Sequence, residues 1–177
     1  MIYPDFDIVI PDIDEEIYCG ESSVGFSERM SREKMTAIAP FCRDREMSFL
    51  AVTADTVVSM DGRSIGKPAD FEDAKRILTV LSGQTHEVIT GITVFIKQRR
   101  KYNIMLTAHE ITKVAFKKLD AAEITRYLNM TDYADKAGAY AVQENGEFII
   151  EKIFGSVSNV AGFPLRLFLR MLPAAVL

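Results

Sequence analysis

The chain has no tryptophan, and only two histidines and two cysteines among its 177 residues. Cys19 and Cys42 form neither a C-x-x-C pair nor a zinc-finger spacing, so no disulfide framework or structural zinc is indicated. That usage fits a reducing cytoplasm. A chain this long buries roughly 70% of its unfolded surface and needs no such staple. His86 and His109 share no metal-ligand spacing with each other or with the cysteines, and the H-E-x-x-H and G-x-S-x-G motifs are missing. Zinc and serine hydrolases are therefore unsupported. Positive charge is not in excess: 21 Lys and Arg stand against 25 Asp and Glu, for a net charge of −4. A binder of nucleic-acid polymers would show a basic footprint. The most apolar tail, Ala161 to Leu177, is interrupted by Arg166 and Arg170 and is too short to span a bilayer. The opening Met1-Ile2-Tyr3-Pro4-Asp5-Phe6-Asp7 has no basic or apolar leader pattern, so no secretory signal is expected. With 48% hydrophobic and 26% charged residues, the expectation is one soluble domain over residues 1–177, bound to neither membrane nor polymer.

Strand and helix patterns alternate along the chain, which predicts an α/β protein. Phe6 to Ile10 alternates and runs into Pro11, reading as a strand that delivers the acids Asp12, Asp14, Glu15 and Glu16. A helix is predicted from Ser27 to about Ile38, with Met30, Lys34, Met35 and Ile38 near one stripe. Phe49 to Ala54 suits a buried strand that ends at Asp55-Thr56, before the apolar pair Val57-Val58 and an Asp61-Gly62 turn. Asp70 is a fitting N-cap for a helix carrying Phe71, Ala74, Ile77, Leu78 and Leu81, with Gly83 at its C-terminal end. Two stretches rich in Val, Ile and Thr, His86–Phe95 and Asn103–Phe116, flank a basic turn at Lys97–Lys101 and read as paired strands. Asp120-x-x-Glu123 resembles a capping box that opens a helix through Leu128. A strand is expected from Glu147 to Ile153, and a last helix from about Pro164.

Chemistry-bearing residues are few. A carboxylate closing an apolar strand, as Asp55 does on this reading, sits where α/β sheets hold ligands, although it can equally cap the following turn. The acids at 12–16 are oxygen donors of the kind magnesium takes alongside substrate phosphates, or a solvated loop. Gly62 to Pro68 superficially matches a phosphate-binding loop. Its glycine spacing is one residue short, and Pro68 replaces the hydroxyl residue that would hold magnesium. What survives is Lys67, a point charge on a tight turn, able to meet a phosphate or simply exposed. Lys34 lies on the apolar stripe of its helix, and Lys136 sits among Ala137, Gly138 and Ala139, where close backbone approach or plain packing is indicated. Acids plus lysines on an α/β scaffold suit a phosphorylated substrate with magnesium.

Six strings in order make a more specific pattern. They are Pro11-Asp12-Ile13-Asp14-Glu15; Ala54-Asp55-Thr56-Val57-Val58; Gly66-Lys67-Pro68 with Asp70; Leu81-Ser82-Gly83-x-x-His86-x-Val88-x-Thr90-Gly91; Asp135 to Gln143; and Gly155-Ser156-x-Ser158-Asn159-Val160-x-Gly162-x-Pro164-Leu165. Together they resemble the Maf family of nucleoside triphosphate pyrophosphatases. The resemblance implies a mixed twisted sheet with flanking helices, related to the inosine-triphosphate pyrophosphatases, and a cleft between two lobes. It also implies hydrolysis of a nucleoside triphosphate to the monophosphate and pyrophosphate, with a divalent metal, Mg²⁺ or Mn²⁺. By the same resemblance, Asp55 is the expected proton acceptor from water, and Glu15 assists through the metal. Lys67, Lys34 and Lys136 meet phosphates, while Thr56 with Gln143 marks the branch preferring dTTP and UTP. A homodimer is expected on the same ground. Family members open with a strand and turn resembling Leu-Ala-Ser-x-Ser-Pro-Arg-Arg ahead of the acidic cluster, and this chain has no such string. The expectation is a longer native protein. If the chain starts here, the alternative is a catalytically impaired nucleotide-binding or division-related interaction protein.

Overall fold

The computed structural model describes residues 6–43, 48–97 and 103–172. Its centre is a five-stranded sheet in the order β2-β1-β3-β4-β5, each neighbouring pair antiparallel. The strands are β1 (Phe49–Met60), β2 (Arg63–Ile65), β3 (Thr85–Lys97), β4 (Ile104–Phe116) and β5 (Ile150–Phe154). Helices α1 (Ser23–Ala37), α2 (Ala39–Arg43), α3 (Phe71–Leu81), α4 (Ala121–Met130), α5 (Gly146–Ile149), α6 (Val157–Val160) and α7 (Leu165–Met171) flank it. The result is the mixed α/β architecture that the alternating patterns indicate. Among the described residues no helix is long and apolar enough to cross a membrane.

β3 is the middle strand and is buried along most of its length. Helices cover both of its faces, so its sequence reads as a continuous Val/Ile/Thr run without polar alternation. On one face Val58, Val88, Val114 and Phe116 pack against Ala74, Ile77, Leu78 and Leu81 of α3 and Ile124, Tyr127 and Leu128 of α4. Ile92, Val94 and Ile96 continue that face under Leu167 and Phe168 of α7. The opposite face is covered by α1.

α1 begins earlier than its apolar stripe suggests. Ser22 caps it by accepting from the Gly25 N–H, and the face laid on the sheet is built from buried Ser23, Ser27 and Ser31. Two of these serines bond to the sheet: Ser23 donates to the Ser59 hydroxyl at 3.1 Å, and the Ser31 and Thr93 hydroxyls lie 2.9 Å apart, while Ser27 donates to the Val24 carbonyl of its own helix at 3.0 Å. Thr53 donates to the Ser31 carbonyl at 2.6 Å. Gly91 completes the seam, because a Cβ there would stand 2.3 Å from the Ser27 carbonyl oxygen. Small residues on both sides let the helix backbone nearly touch the sheet.

Three sequence expectations need correction. Phe6–Ile10 is not a strand: it is mostly exposed, irregular chain, and among the described residues no strand pairs with it. β1 does not stop at Ala54 but runs on through Asp55 to Met60, because Val57 and Val58 resume the buried pattern. Asp55 is thus in mid-strand, not at a strand end. Within 147–153, a helical turn occupies Gly146–Ile149 and only Ile150–Phe154 pairs, with β4. The caps stand as read: Asp70 accepts from Asp73 N–H, and Asp120 with Glu123 forms both halves of a capping box. Most of the basic Lys97–Lys101 turn lies outside the described residues, as do Met1–Asp5 and the last five residues of the tail.

Candidate active site

β2 is short and covers only Val58, Ser59 and Met60 of β1. Beyond Val58 the outer edge of β1 has no strand partner among the described residues, and there a cleft of about 500 Å³ opens. Five consecutive residues of β1, Ala54 to Val58, line it. The segment before α1 supplies Glu15 and Ile17, and α1 supplies Phe26 and Lys34. Gly66 and Lys67 come just after β2, Asp135 to Ala137 and Tyr140 close one side, and Val160 to Gly162 close another.

The charged end of the cleft is a chain of alternating sign. Lys34 Nζ lies 2.6 Å from Asp55 Oδ1 and 2.8 Å from Glu15 Oε1, so one ammonium joins two carboxylates. Glu15 Oε2 in turn accepts from Lys67 Nζ at 2.9 Å. The members differ in solvent access. Asp55 is 8% exposed and the Lys34 side chain 17%, whereas Glu15 reaches 35% and Lys67 55%. Asp55 and Lys34 form the floor, and Glu15 with Lys67 the mouth.

Local folding explains each placement. The Asp55 side chain leaves the face of β1 under α1, on the row of Gly91 and His109. Lys34 lies about two helical turns after Ser27, where α1 crosses Gly91 most closely. Glu15 sits on irregular chain held down from two sides. Ile13 packs on Phe26, Met30, Val57 and Ile89, and Arg29 clamps the stretch between Glu16 and Glu21. The Arg29 guanidinium donates to the Glu16 carbonyl at 2.8 Å and to both Glu21 oxygens at 2.7 Å, and it lies 3.8 Å from the centre of the Tyr18 ring. Sequence reading missed Arg29. Its partners Glu16, Glu21 and Tyr18 precede the helix, and only Glu33 at i+4 is a local signal.

Electrostatics separate the two carboxylates. Burial pushes the Asp55 carboxyl above its ordinary value, against the pull of Lys34. Burial also acts upward on Glu15, but the hydrogen bonds from Lys34 and Lys67 outweigh it and hold this carboxyl below its ordinary value. Lys34 loses solvation, yet its bonds to Asp55 and Glu15 keep it firmly protonated. One acid is thus made more basic and the other is kept ionised, a division of roles found where one carboxylate takes a proton and the other holds charge.

Of the residues singled out from sequence, the cleft gathers Asp55, Glu15, Lys67, Lys34, Thr56 and Lys136. Lys136 is paired with Asp135 at 2.5 Å. Its turn is tied to the Lys67 turn by Gly138 N–H donating to the Gly66 carbonyl at 3.0 Å. Gly138 has φ +74°, and a Cβ there would stand 2.9 Å from Val58, so the close approach read from the small residues is real. Gln143 is not gathered: it is exposed and lies outside the cleft lining. Asp12, Asp14 and Glu16 are exposed and also line no part of it. Tyr140, which sequence reading did not select, lines the cleft with its hydroxyl 2.9 Å from Nε2 of the buried His86.

Among the described residues no group of three or more His, Cys, Asp or Glu side chains is placed to hold a metal ion. Magnesium, however, characteristically takes one or two carboxylates and completes its shell with water and substrate phosphates. Glu15 fits that donor set. It is ionised and reaches solvent at the cleft mouth, and a cation bound there would take the place of the Lys34 or Lys67 ammonium on one of its oxygens.

Comparison with known proteins identifies the relatives of the chain. The profile of a family described as Maf-like protein matches residues 1–175. A dTTP/UTP pyrophosphatase of Geobacter metallireducens is 44% identical over 161 residues, which are 91% of this chain and 80% of that relative. One of Geobacter sulfurreducens is 42% identical over 161 residues, 91% of this chain and 81% of the relative. One of Chromobacterium violaceum is 41% identical over 158 residues, 88% and 76% of the two chains.

Proposed function

The chain belongs to the Maf family, and on that premise we propose that it is a pyrophosphatase hydrolysing dTTP and UTP to the monophosphate and pyrophosphate. The observation that carries this reading is the ammonium of Lys34 shared between Asp55 and Glu15 at the floor of a cleft, with Lys67 on the outer oxygen of Glu15. Breaking a phosphoanhydride asks the protein for positioning and charge neutralisation more than for covalent chemistry.

Asp55 takes a proton from the attacking water as its oxygen bonds to the α-phosphorus. The bond from that phosphorus to the bridging oxygen breaks, and pyrophosphate leaves with the electron pair. A base made more basic by burial suits this step, because it pulls more strongly on the proton. Lys34 keeps Asp55 oriented, while Lys67 and Lys136 offer their ammoniums to phosphate oxygens, Lys67 being the most exposed of the chain of charges. A divalent cation, when bound, would be held by Glu15 and phosphate oxygens and would supply further neutralisation of the developing charge. Thr56, which also lines the cleft, is the residue assigned to the base.

Pyrophosphate release from a panel of nucleoside triphosphates, with Mg²⁺ or Mn²⁺, tests the proposal. Turnover favouring dTTP and UTP is expected. No turnover from soluble, folded protein overturns the proposal.

A further inference from the structure

The Thr56 hydroxyl is wired to the interior. It lies 2.9 Å from the hydroxyl of Thr90, the residue directly opposite on β3, which is fully buried. Thr90 has one hydroxyl proton, and it donates that proton to the main-chain carbonyl oxygen of Asn159 3.1 Å away, a group that can only accept. The proton between the two threonines therefore comes from Thr56. Once it is given to Thr90, Thr56 Oγ1 has only lone pairs left for the cleft.

The far end of this relay is fixed. Asn159 is fully buried, its Nδ2 donates to the Val88 carbonyl at 3.0 Å and to Thr112 Oγ1 at 3.1 Å, and its own carbonyl also accepts from Gly162 N–H at 2.9 Å. Turning the amide over would set oxygen against the Val88 oxygen, so the donor side is determined. Gly162 adds a second, independent observation. A Cβ there would lie 3.5 Å from Thr56 Oγ1, so a side chain at 162 would cover the hydroxyl that glycine leaves open. Val58, Val88, Val160 and Ala161 make the neighbouring cleft wall apolar, which suits the flat faces of a pyrimidine ring.

We propose that Thr90 and Asn159 are positioning residues for base recognition, making Thr56 Oγ1 an obligate acceptor for the N3–H of uracil and thymine. The inference rests on the pyrophosphatase reading and deepens it. Uracil and thymine carry a proton on N3, whereas cytosine has a bare lone pair there. In the same pose cytosine therefore sets acceptor against acceptor. A desolvated pair left unmade in this way disfavours the wrong base by about 10- to 100-fold.

The test is kcat/KM for UTP, CTP and 3-methyluridine triphosphate with the parent chain, Thr90→Val and Thr90→Ser. Valine keeps the shape and removes the relay, while the Asn159 carbonyl retains its bond from Gly162. With the parent, UTP is preferred, and the 3-methyl analogue falls to the level of CTP. Thr90→Val compresses the UTP-to-CTP ratio by about tenfold, and Thr90→Ser restores it. A parent that uses the 3-methyl analogue as well as UTP, or a Thr90→Val ratio equal to the parent's, overturns the inference and leaves the pyrophosphatase reading standing. Should Thr90→Val not fold, the 3-methyl analogue decides with the parent alone. No turnover with any triphosphate refutes the pyrophosphatase reading and this inference with it.

Discussion

Gly91→Ala is the sharpest probe of how the site is assembled, because it touches none of the charged groups. The new methyl would stand 2.3 Å from the Ser27 carbonyl oxygen, 2.4 Å from its carbonyl carbon and 2.7 Å from the Glu28 nitrogen. All three are helix backbone, so no side chain can rotate away. Restoring ordinary contact requires α1 and β3 to part by about 1 Å. Overpacking of this kind costs about 1–3 kcal/mol, which lowers the melting temperature of a chain this size by about 2–12 °C. The same parting stretches the 2.6 Å contact of Lys34 with Asp55 and loosens the Ser31–Thr93 bond. Misplacement by 1 Å near the chemistry lowers kcat/KM by about 10- to 100-fold. Thermal melting and pyrophosphate release measure the two effects, with Gly66→Ala as a stability control, since nothing lies within 4 Å of its Cβ. If Gly91→Ala melts within a degree of the parent and turns over equally, the closeness of α1 to the sheet does not set the position of Lys34, and the reasoning fails.

Asp55→Asn keeps the shape and removes the base; turnover should drop by about 10²–10⁴-fold while circular dichroism stays native, and equal turnover would remove Asp55 from that role. Because burial raises the Asp55 pKa, the acid limb of kcat/KM should lie above the ordinary aspartate value of 3.8, and an acid limb at or below that value would contradict the assignment. The sign for stability is opposite: a raised folded-state pKa means that this group's contribution is full below the unfolded value and is lost as pH rises through the folded one. His86 is buried with its pKa lowered to about 4 from 6.5, so its contribution is present above 6.5 and is lost as pH falls through 4. Urea unfolding of the parent at pH 7 and pH 4.5 should show a loss of about 2–3 kcal/mol from this group. His86→Gln, which can keep a bond to Tyr140, should remove that part of the pH dependence, and an unchanged slope would refute it.

Legibility tracked locality. The caps at Asp70 and Asp120 and the helices they start were readable because every group involved lies within four residues. The β3–β4 pair was readable from composition, since strands covered on both faces have little choice but Val, Ile and Thr. α1 was only half readable. Its inner face is serine, and serine counts as polar until a sheet offers it partners such as Ser59 and Thr93. Phe6–Ile10 misled for the opposite reason: alternation is necessary for a half-buried strand but does not supply a neighbour. At the site, Asp55, Glu15, Lys34 and Lys67 were each singled out, but their common ammonium bridge spans separations of 19, 21 and 52 residues that no local pattern encodes. Arg29, Thr90 and Asn159 act through such distant partners, which is why they escaped.

The placing of Asp55 shows what local reading lacked. A ligand at the carboxyl end of a strand is a rule for open parallel α/β sheets, and here each strand pair is antiparallel, so the strand ends are not where the cleft forms. The opening is lateral and results from the brevity of β2. The two-residue turn Asp61-Gly62, with φ of 50° and 76°, sends the chain straight back along β1 and makes Met60 and Arg63 a hydrogen-bonded pair. Antiparallel alternation then points the main-chain N–H and C=O of Val58, Thr56 and Ala54 to the same outer edge. β2 ends at Ile65: the Gly66 carbonyl is drawn to the Gly138 N–H, and Lys67, the next residue that would bond to β1 opposite Thr56, does not join the ladder. That departure leaves the edge beside Thr56 and Ala54 open to the cleft and carries Lys67, one residue on, to Glu15. A longer β2 would seal the edge with backbone bonds and carry Lys67 away from Glu15. Two residues added to the pairing of β2 should therefore abolish turnover while raising stability, whereas gains in both would show that the open edge is not the site.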